Sequence, residues 1–328
     1  MQGDSGDVEG DWDGLEEDEV QLHDVGEFYM DSPDWFLKHS KLLRDLVKPI
    51  SMINPDCSNE YRAHTALKLF CVGYWSQVFS PIMKKIGIPT VYIDLCSGSG
   101  LTKVTGSDKF LPGSPFVADA YGNIFDYVIC VDNDPQYANV LTKRLSAVRK
   151  PDSFKVFCCD NQDAIGEIIE IVKSKRAMFF CFYDPHGFDG FSWNVLEKLA
   201  SSLNGDLLLT WFEHGLWRNY PHNEIILNRV FGDDSWKGAK SSEELTTKFC
   251  VRLSSIRALI KPIEIVDESK TVYHQILCVK ETPAGSPFLR AWDDLRGYLE
   301  SEGARATEMW LDIAYEKQTQ LFDPKFER

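Results

Sequence analysis

The sequence predicts an α/β fold, a mainly parallel, doubly wound sheet that ends in an antiparallel hairpin and is preceded by helices. Three observations predict it. Five short apolar runs rich in branched and aromatic residues, at 91–95, 127–132, 154–158, 177–184 and 206–212, follow Ile88-Pro89, and such runs read as buried parallel strands. Helical patterns at 135–150, 162–175 and 192–203 separate several of them, giving a strand, helix, strand alternation for which right-handed crossovers are expected. Finally, 262–267 and 271–281 flank a tight polar Glu-Ser-Lys turn, the mark of a hairpin.

Taken in chain order, residues 1–31 hold twelve Asp and Glu and no Lys or Arg. They read as an acidic, solvated tail in which Trp12 and Phe28 to Met30 are the points that could dock. The net charge of −15 therefore belongs mainly to this tail, and the remaining 38 acidic and 35 basic residues leave a body near neutrality. That balance neither supports nor excludes a polyanionic substrate. Ser32-Pro33-Asp34 has a capping residue, a proline and an acid in the order that opens a helix, here running to about Val47. A second helix is expected from about Asn59 to Lys85, since Tyr61, Leu67, Phe70, Tyr74, Val78 and Ile82 recur at helical spacing. The strands and helices above follow, with a short helix expected in an insertion at 101–125, and Pro287–Leu299 and Thr307–Gln320 read as closing helices. The expected organisation is a tail at 1–31, N-terminal helices at 32–88 and a Rossmann-like domain with C-terminal helices at 89–328.

Composition narrows the function classes. With 328 residues, 44% hydrophobic and 26% charged, the chain is long enough for one large globular domain. No run reaches the roughly 18 uncharged apolar residues of a membrane span, and the first thirty residues carry no basic start with an apolar segment. A soluble, cytoplasmic protein is expected. The nine cysteines include no C-x-x-C pair and sit mostly in apolar runs, and the seven histidines are scattered. Reduced, buried thiols and no metal site are the expectation.

The most specific segment is Val91 to Gly100, an apolar strand ending in Asp94, followed by Ser97-Gly98-Ser99-Gly100. Glycines at 98 and 100 let backbone approach a ligand closely, and Asp94 can reach a cationic amine or order the loop. The dinucleotide fingerprint needs a third glycine or alanine where this chain has Lys103, so a nicotinamide oxidoreductase is disfavoured. The next strand ends in Asp132-Asn133-Asp134; Asp132 can accept both hydroxyl protons of a ribose, while Asp134 can cap the following helix. Asp160-Asn161 after the third strand can bond an adenine's amino group and ring nitrogen, or cap a helix.

The fourth strand ends in Asp184-Pro185-His186-Gly187-Phe188, at the edge where open sheets bind ligands. Asp184, held by Pro185, can accept a hydrogen bond from a substrate nitrogen attacking a sulfonium methyl. His186 can take a proton, orient substrate or serve a structural role. Phe188 can stack on a planar substrate or pack under its loop. His64, Thr65 and Lys68 share a helical face that closes over the cofactor, contacts an anionic substrate or is simply solvated. Lys143, Arg144, Arg149 and Lys150 form a basic cluster for a phosphate or a helix end. A mainly parallel sheet closed by an antiparallel hairpin is the class I methyltransferase pattern.

In order, Ala63-His64-Thr65 with Lys68, Tyr92-Ile93-Asp94 with Gly98-Ser99-Gly100, Gly113-Ser114-Pro115, Asp132, Asp160, Asp184-Pro185-His186-Gly187 and Phe231-Gly232 with Trp236 make a recognisable set. The chain resembles the three-Cys-motif partner (TcmP) family of S-adenosylmethionine-dependent methyltransferases, over about His64 to Leu299. It departs from the family pattern at Cys96 to Gly100, where an alanine-glycine-proline-glycine type turn is usual, and at His186, often an aromatic. The resemblance implies S-adenosylmethionine as cofactor and a three-Cys-motif protein as partner. The Asp-Pro step also looks like the Asn/Asp-Pro-Pro-aromatic motif of amino methyltransferases, with Gly187 intervening before Phe188. The expected function is methyl transfer to a nitrogen of a nucleobase or protein. In the expected site Asp94, Ser97, Gly98, Gly100, Asp132, Asp160 and Asn161 hold the cofactor, Asp184, Pro185 and His186 act in catalysis, and Phe188, His64 and Lys68 meet the substrate. The rival reading is a non-catalytic, methyltransferase-like partner protein.

Overall fold

Strand periodicity organises the molecule. The computed structural model describes residues 45–61, 65–105, 110–120, 125–218, 220–267, 270–281 and 288–300. In chain order it has α1 (45–51), β1 (Asn59–Tyr61), α2 (Thr65–Lys85), β2 (Thr90–Asp94), β3 (Leu101–Val104), β4 (Phe110–Pro112), α3 (Ser114–Asp119) and β5 (Tyr127–Val131). There follow α4 (Pro135–Ser146), β6 (Phe154–Phe157), α5 (Asn161–Ser174), β7 (Met178–Tyr183), α6 (Trp193–Ser202), β8 (Gly205–Trp211) and α7 (Glu213–Trp217). The last elements are α8 (Glu224–Phe231), α9 (Ser242–Leu253), β9 (Leu259–Asp267), β10 (Lys270–Val279) and α10 (289–300). The acidic segment, most of the expected first helix and the expected helix at 307–320 lie outside the described residues.

Seven strands form one sheet in the order β6-β5-β2-β7-β8-β10-β9. The first five are parallel, and β10 runs antiparallel to both β8 and β9. This is the expected Rossmann-like α/β sheet with its terminal hairpin. Alternation decides which side each residue faces. Tyr92, Val128, Phe180 and Leu208 point into one core with α2 and Trp292, while Val91, Ile93, Ile129, Phe179, Cys181 and Leu207 point into the other with α5, α6, α8 and α9. Both faces are covered, which is why the strands read as nearly continuous apolar runs.

The expected helix from Asn59 is corrected at its start. Asn59–Tyr61 is a strand, paired parallel to β3, and the helix begins only at Thr65. The helical spacing of Tyr61 was fortuitous, because backbone pairing with Thr102 to Val104 wins over it. A small second sheet, β1-β3-β4, results; β3 and β4 fall in the insertion at 101–125, where the expected short helix is α3. In α2 every residue from Thr65 to Ser80 is buried, so the helix has no solvated face in that stretch.

The basic cluster is corrected too. Arg144 is fully buried, donating to the carbonyls of Ile50, Ile53, Asn54, Cys57 and Ser99. Arg149 is buried in an ion pair with Asp119 and donates to the Phe125 carbonyl. Neither guanidinium is available to a phosphate.

Candidate active site

Walking outward from β2, the chain builds β5 and β6 on one side and β7 and β8 on the other. The switch point lies between β2 and β7, where open sheets form a crevice at the strand carboxyl ends. Asp94 and Asp184 stand at those two ends.

The loop after β2 is tied across three strands. Leu95 N–H donates to the Phe182 carbonyl at 3.1 Å, Ser97 N–H to the Val131 carbonyl at 3.0 Å, and Gly98 N–H to Asp132 Oδ2 at 2.8 Å. Gly98 has φ +59°, and a Cβ there would lie 2.6 Å from Asn59 Oδ1. Gly100 has φ +75°, and a Cβ there would meet Phe116 at 2.5 Å and Leu141 at 2.6 Å. Gly98 thus admits a turn under Asn59, whereas Gly100 serves packing within the fold. The Ser97 hydroxyl bonds the Val131 carbonyl.

Three carboxylates meet different environments. Asp94 is wholly buried and accepts from the Tyr92 hydroxyl at 3.0 Å and Cys96 N–H at 3.3 Å. Burial pushes its carboxyl up to about 7, against the pull of hydrogen bonds from Ser114, Tyr92 and Cys96. It orders the loop from beneath. Asp132 is half-buried; burial raises its pKa, opposed by the N–H groups of Asp134 and Gly98. Its two oxygens accept from Gly98 N–H and Asp134 N–H, and Asp134 in turn caps α4 through Gln136 N–H and Tyr137 N–H.

Asp184 Oδ2 accepts from Lys68 Nζ at 2.6 Å, while its Oδ1 is buried with no hydrogen-bond partner. Lys68 is 4% exposed, and its ammonium lies 5.3, 5.5 and 5.6 Å from the ring centroids of Tyr61, Phe212 and Tyr273. The expectation of a solvated lysine, or one reaching an anionic substrate, is corrected: burial of α2 forces the charge to take Asp184 as its counterion. His64 lies outside the described residues.

Other expected residues are placed as follows. Pro185 is buried behind Asp184. His186 is exposed, with Nδ1 3.0 Å and Nε2 2.9 Å from the Tyr61 hydroxyl and Nε2 3.4 Å from Asn59 Nδ2. Phe188 packs edge-on against Trp211 at 5.8 Å between centroids, the packed one of its two expected placements. Asp160 caps α5 through Gln162 N–H. Asn161 is buried, and its Nδ2 donates to the Tyr183 hydroxyl and the Gly190 carbonyl. Its amide donor thus fixes the loop after β7 and is not offered to an adenine.

The sequence reading missed Asn59 and Tyr61 as site residues. Asn59 Oδ1 accepts from Ser99 N–H at 3.1 Å, and Tyr61 is held by His186, so β1 lies across the glycine turn. A polar residue and a tyrosine two apart, the spacing of one strand face, was the available signal. Together with Thr65, Lys68, Gly98, Ser114 and Asp184 they line a cleft of about 30 Å³. The polar groups at this edge, though not the volume of the cleft, suit S-adenosylmethionine: an accepting carboxylate for ribose hydroxyls at Asp132, a glycine turn beside it, and an unpartnered carboxylate oxygen at Asp184.

No protein-family model matches the chain, and no curated protein matches it. Among solved structures it is similar to a Legionella pneumophila protein, at 10% identity over 75% of this chain and 92% of the other, with a TM-score of 0.42. It is also similar to Trm1 from Pyrococcus horikoshii in complex with S-adenosyl-L-methionine, at 13% identity over 63% of this chain and 54% of that one, TM-score 0.38. An rRNA methylase from Streptococcus thermophilus gives 10% identity, 61% and 93% coverage and a TM-score of 0.33.

Proposed function

We propose that the chain is an S-adenosylmethionine-dependent methyltransferase, acting in the cytoplasm on a nitrogen of a nucleobase or protein. One observation carries the reading: at the carboxyl edge of the sheet Asp132 holds the Gly98 turn at 2.8 Å while Asp184 keeps a buried oxygen without a partner. The first is the arrangement a ribose needs, and the second awaits a donor. The cofactor, when bound, supplies a methyl group activated by a positive sulfur. Asp94 and Ser97 hold the loop, Asp132 takes the ribose, and Asp160 borders the adenine end. Asp184, braced by Pro185, aligns the acceptor N–H so that the nitrogen lone pair faces the methyl carbon, and His186 with Tyr61 passes the released proton to solvent.

The resemblance to the three-Cys-motif partner family supports a three-Cys-motif protein as partner. A second reading, a non-catalytic partner module, is favoured by the small cleft of about 30 Å³, far below the several hundred a ligand of this size fills. On that reading the space opens only in a complex, or never. Transfer of a labelled methyl group to mixed RNA, DNA and protein acceptors separates the two. The enzyme reading expects Asp184→Ala to lose about 100-fold in transfer with cofactor affinity retained; equal turnover by the folded variant would remove Asp184 from the mechanism.

A further inference from the structure

We propose that Lys68 makes the acceptor site selective for a neutral amino group on a planar heteroaromatic ring and closes it to lysine side chains. The proposal rests on the methyltransferase reading and names its substrate class. A carboxylate faced by aromatic rings is a cation site, and here the protein fills it itself. Lys68 Nζ sits 2.6 Å from Asp184 Oδ2 and within 5.6 Å of the ring centroids of Tyr61, Phe212 and Tyr273, almost wholly removed from water.

What remains for a substrate is Asp184 Oδ1, buried and unpartnered. A neutral amino group can donate to it without bringing charge. A lysine substrate enters at a cost in either state. As an ammonium it is repelled by Lys68, and as a free amine it must first lose a proton about three pH units below its ordinary pKa of roughly 10.4. Beside Asp184 the cleft is lined by Tyr61, whose ring meets the exposed His186 ring 5.4 Å away between centroids at an inclination of 52°. These are π faces on which a flat heterocycle can lie. In the transfer the amino nitrogen's lone pair forms the N–C bond as the C–S bond breaks, its electron pair passes to sulfur, and the N–H proton leaves to water.

The test compares labelled-methyl transfer to single-stranded oligoadenylate and oligocytidylate, to oligouridylate, which has no amino group, to oligolysine, and to a glutamine-rich peptide. Cofactor binding is measured calorimetrically on the same samples. The ratio of oligoadenylate or oligocytidylate to oligolysine transfer is expected to be on the order of 100 in the wild type, to persist in Lys68→Arg, and to fall at least about tenfold in Lys68→Met. Being a ratio, it does not depend on how much of a variant folds. Equal transfer to oligolysine, transfer only to the glutamine peptide, a ratio unmoved in Lys68→Met, or no transfer to any probe with cofactor bound would each overturn the proposal. Absence of cofactor binding would instead remove the methyltransferase reading beneath it.

Discussion

Asp94, Asp132 and Asp184 end three adjacent parallel strands, and their surroundings give them different work. Asp94, sealed under the loop, accepts from Tyr92 and Cys96 and has no surface for a ligand. Asp132 keeps a partly open carboxylate, and Asp184 keeps one buried oxygen without a hydrogen-bond partner. A fourth, Asp206, is buried at the opposite end of the sheet, where the Trp75 indole donates to it at 3.0 Å and burial pushes its carboxyl up to about 7. Asp94 and Asp206 therefore hold protons in the folded state that the unfolded chain has released above its ordinary value of 3.8. Between those limits the folded state binds more protons, so this contribution to stability is complete below about pH 4 and is lost as the pH rises through about 7. Urea midpoints measured across that window should fall with rising pH, and fall less in Asp206→Asn, whose amide oxygen still accepts from Trp75. An identical slope in the variant would contradict the burial account.

At the scale of elements, the segment from α1 to β1 depends on one side chain. Arg144 donates to five carbonyls in or beside it, including Cys57 at 3.0 Å and Ser99 at 2.7 Å, and so ties residues 50–57 to the glycine turn. Burial lowers its pKa to about 10, still well above neutrality. Arg144→Met should destabilise by more than about 3 kcal/mol, because buried carbonyls lose their donors, and Arg144→Lys should recover only part of that. A loss below about 1 kcal/mol in urea unfolding would show that the segment is held by something else. These long-range ties were illegible in the sequence: Arg144 reads like any helix-end base, and nothing local says that carbonyls ninety residues away need it. Strands and amphipathic helices were legible because their periods are local. The β1 strand was not, because three residues pair only with partners forty positions on. Lys68 showed its helical position but not its burial, which follows from what packs around α2.

At the scale of the whole molecule, two cores clamp the sheet and leave its carboxyl edge as the place where loops from β2, β5, β6 and β7 converge. The sheet and its hairpin could be read in advance because each strand announces burial on both faces. The motif loops could be placed at one edge because parallel strands all end there. Which side chains remained free could not, since Asn161 and Phe188 are drawn into the fold by Tyr183, Gly190 and Trp211. Among the described residues no helix is long and apolar enough to cross a membrane. On the proposed function, this edge binds S-adenosylmethionine through Asp132. Calorimetric titration of the full chain with S-adenosylmethionine and with its demethylated product, wild type against Asp132→Ala, tests it most directly. Micromolar binding that weakens at least about tenfold, or 1.4 kcal/mol, in the variant is expected; folded wild-type protein that binds neither compound, or a variant that binds both equally well, would rule out this site.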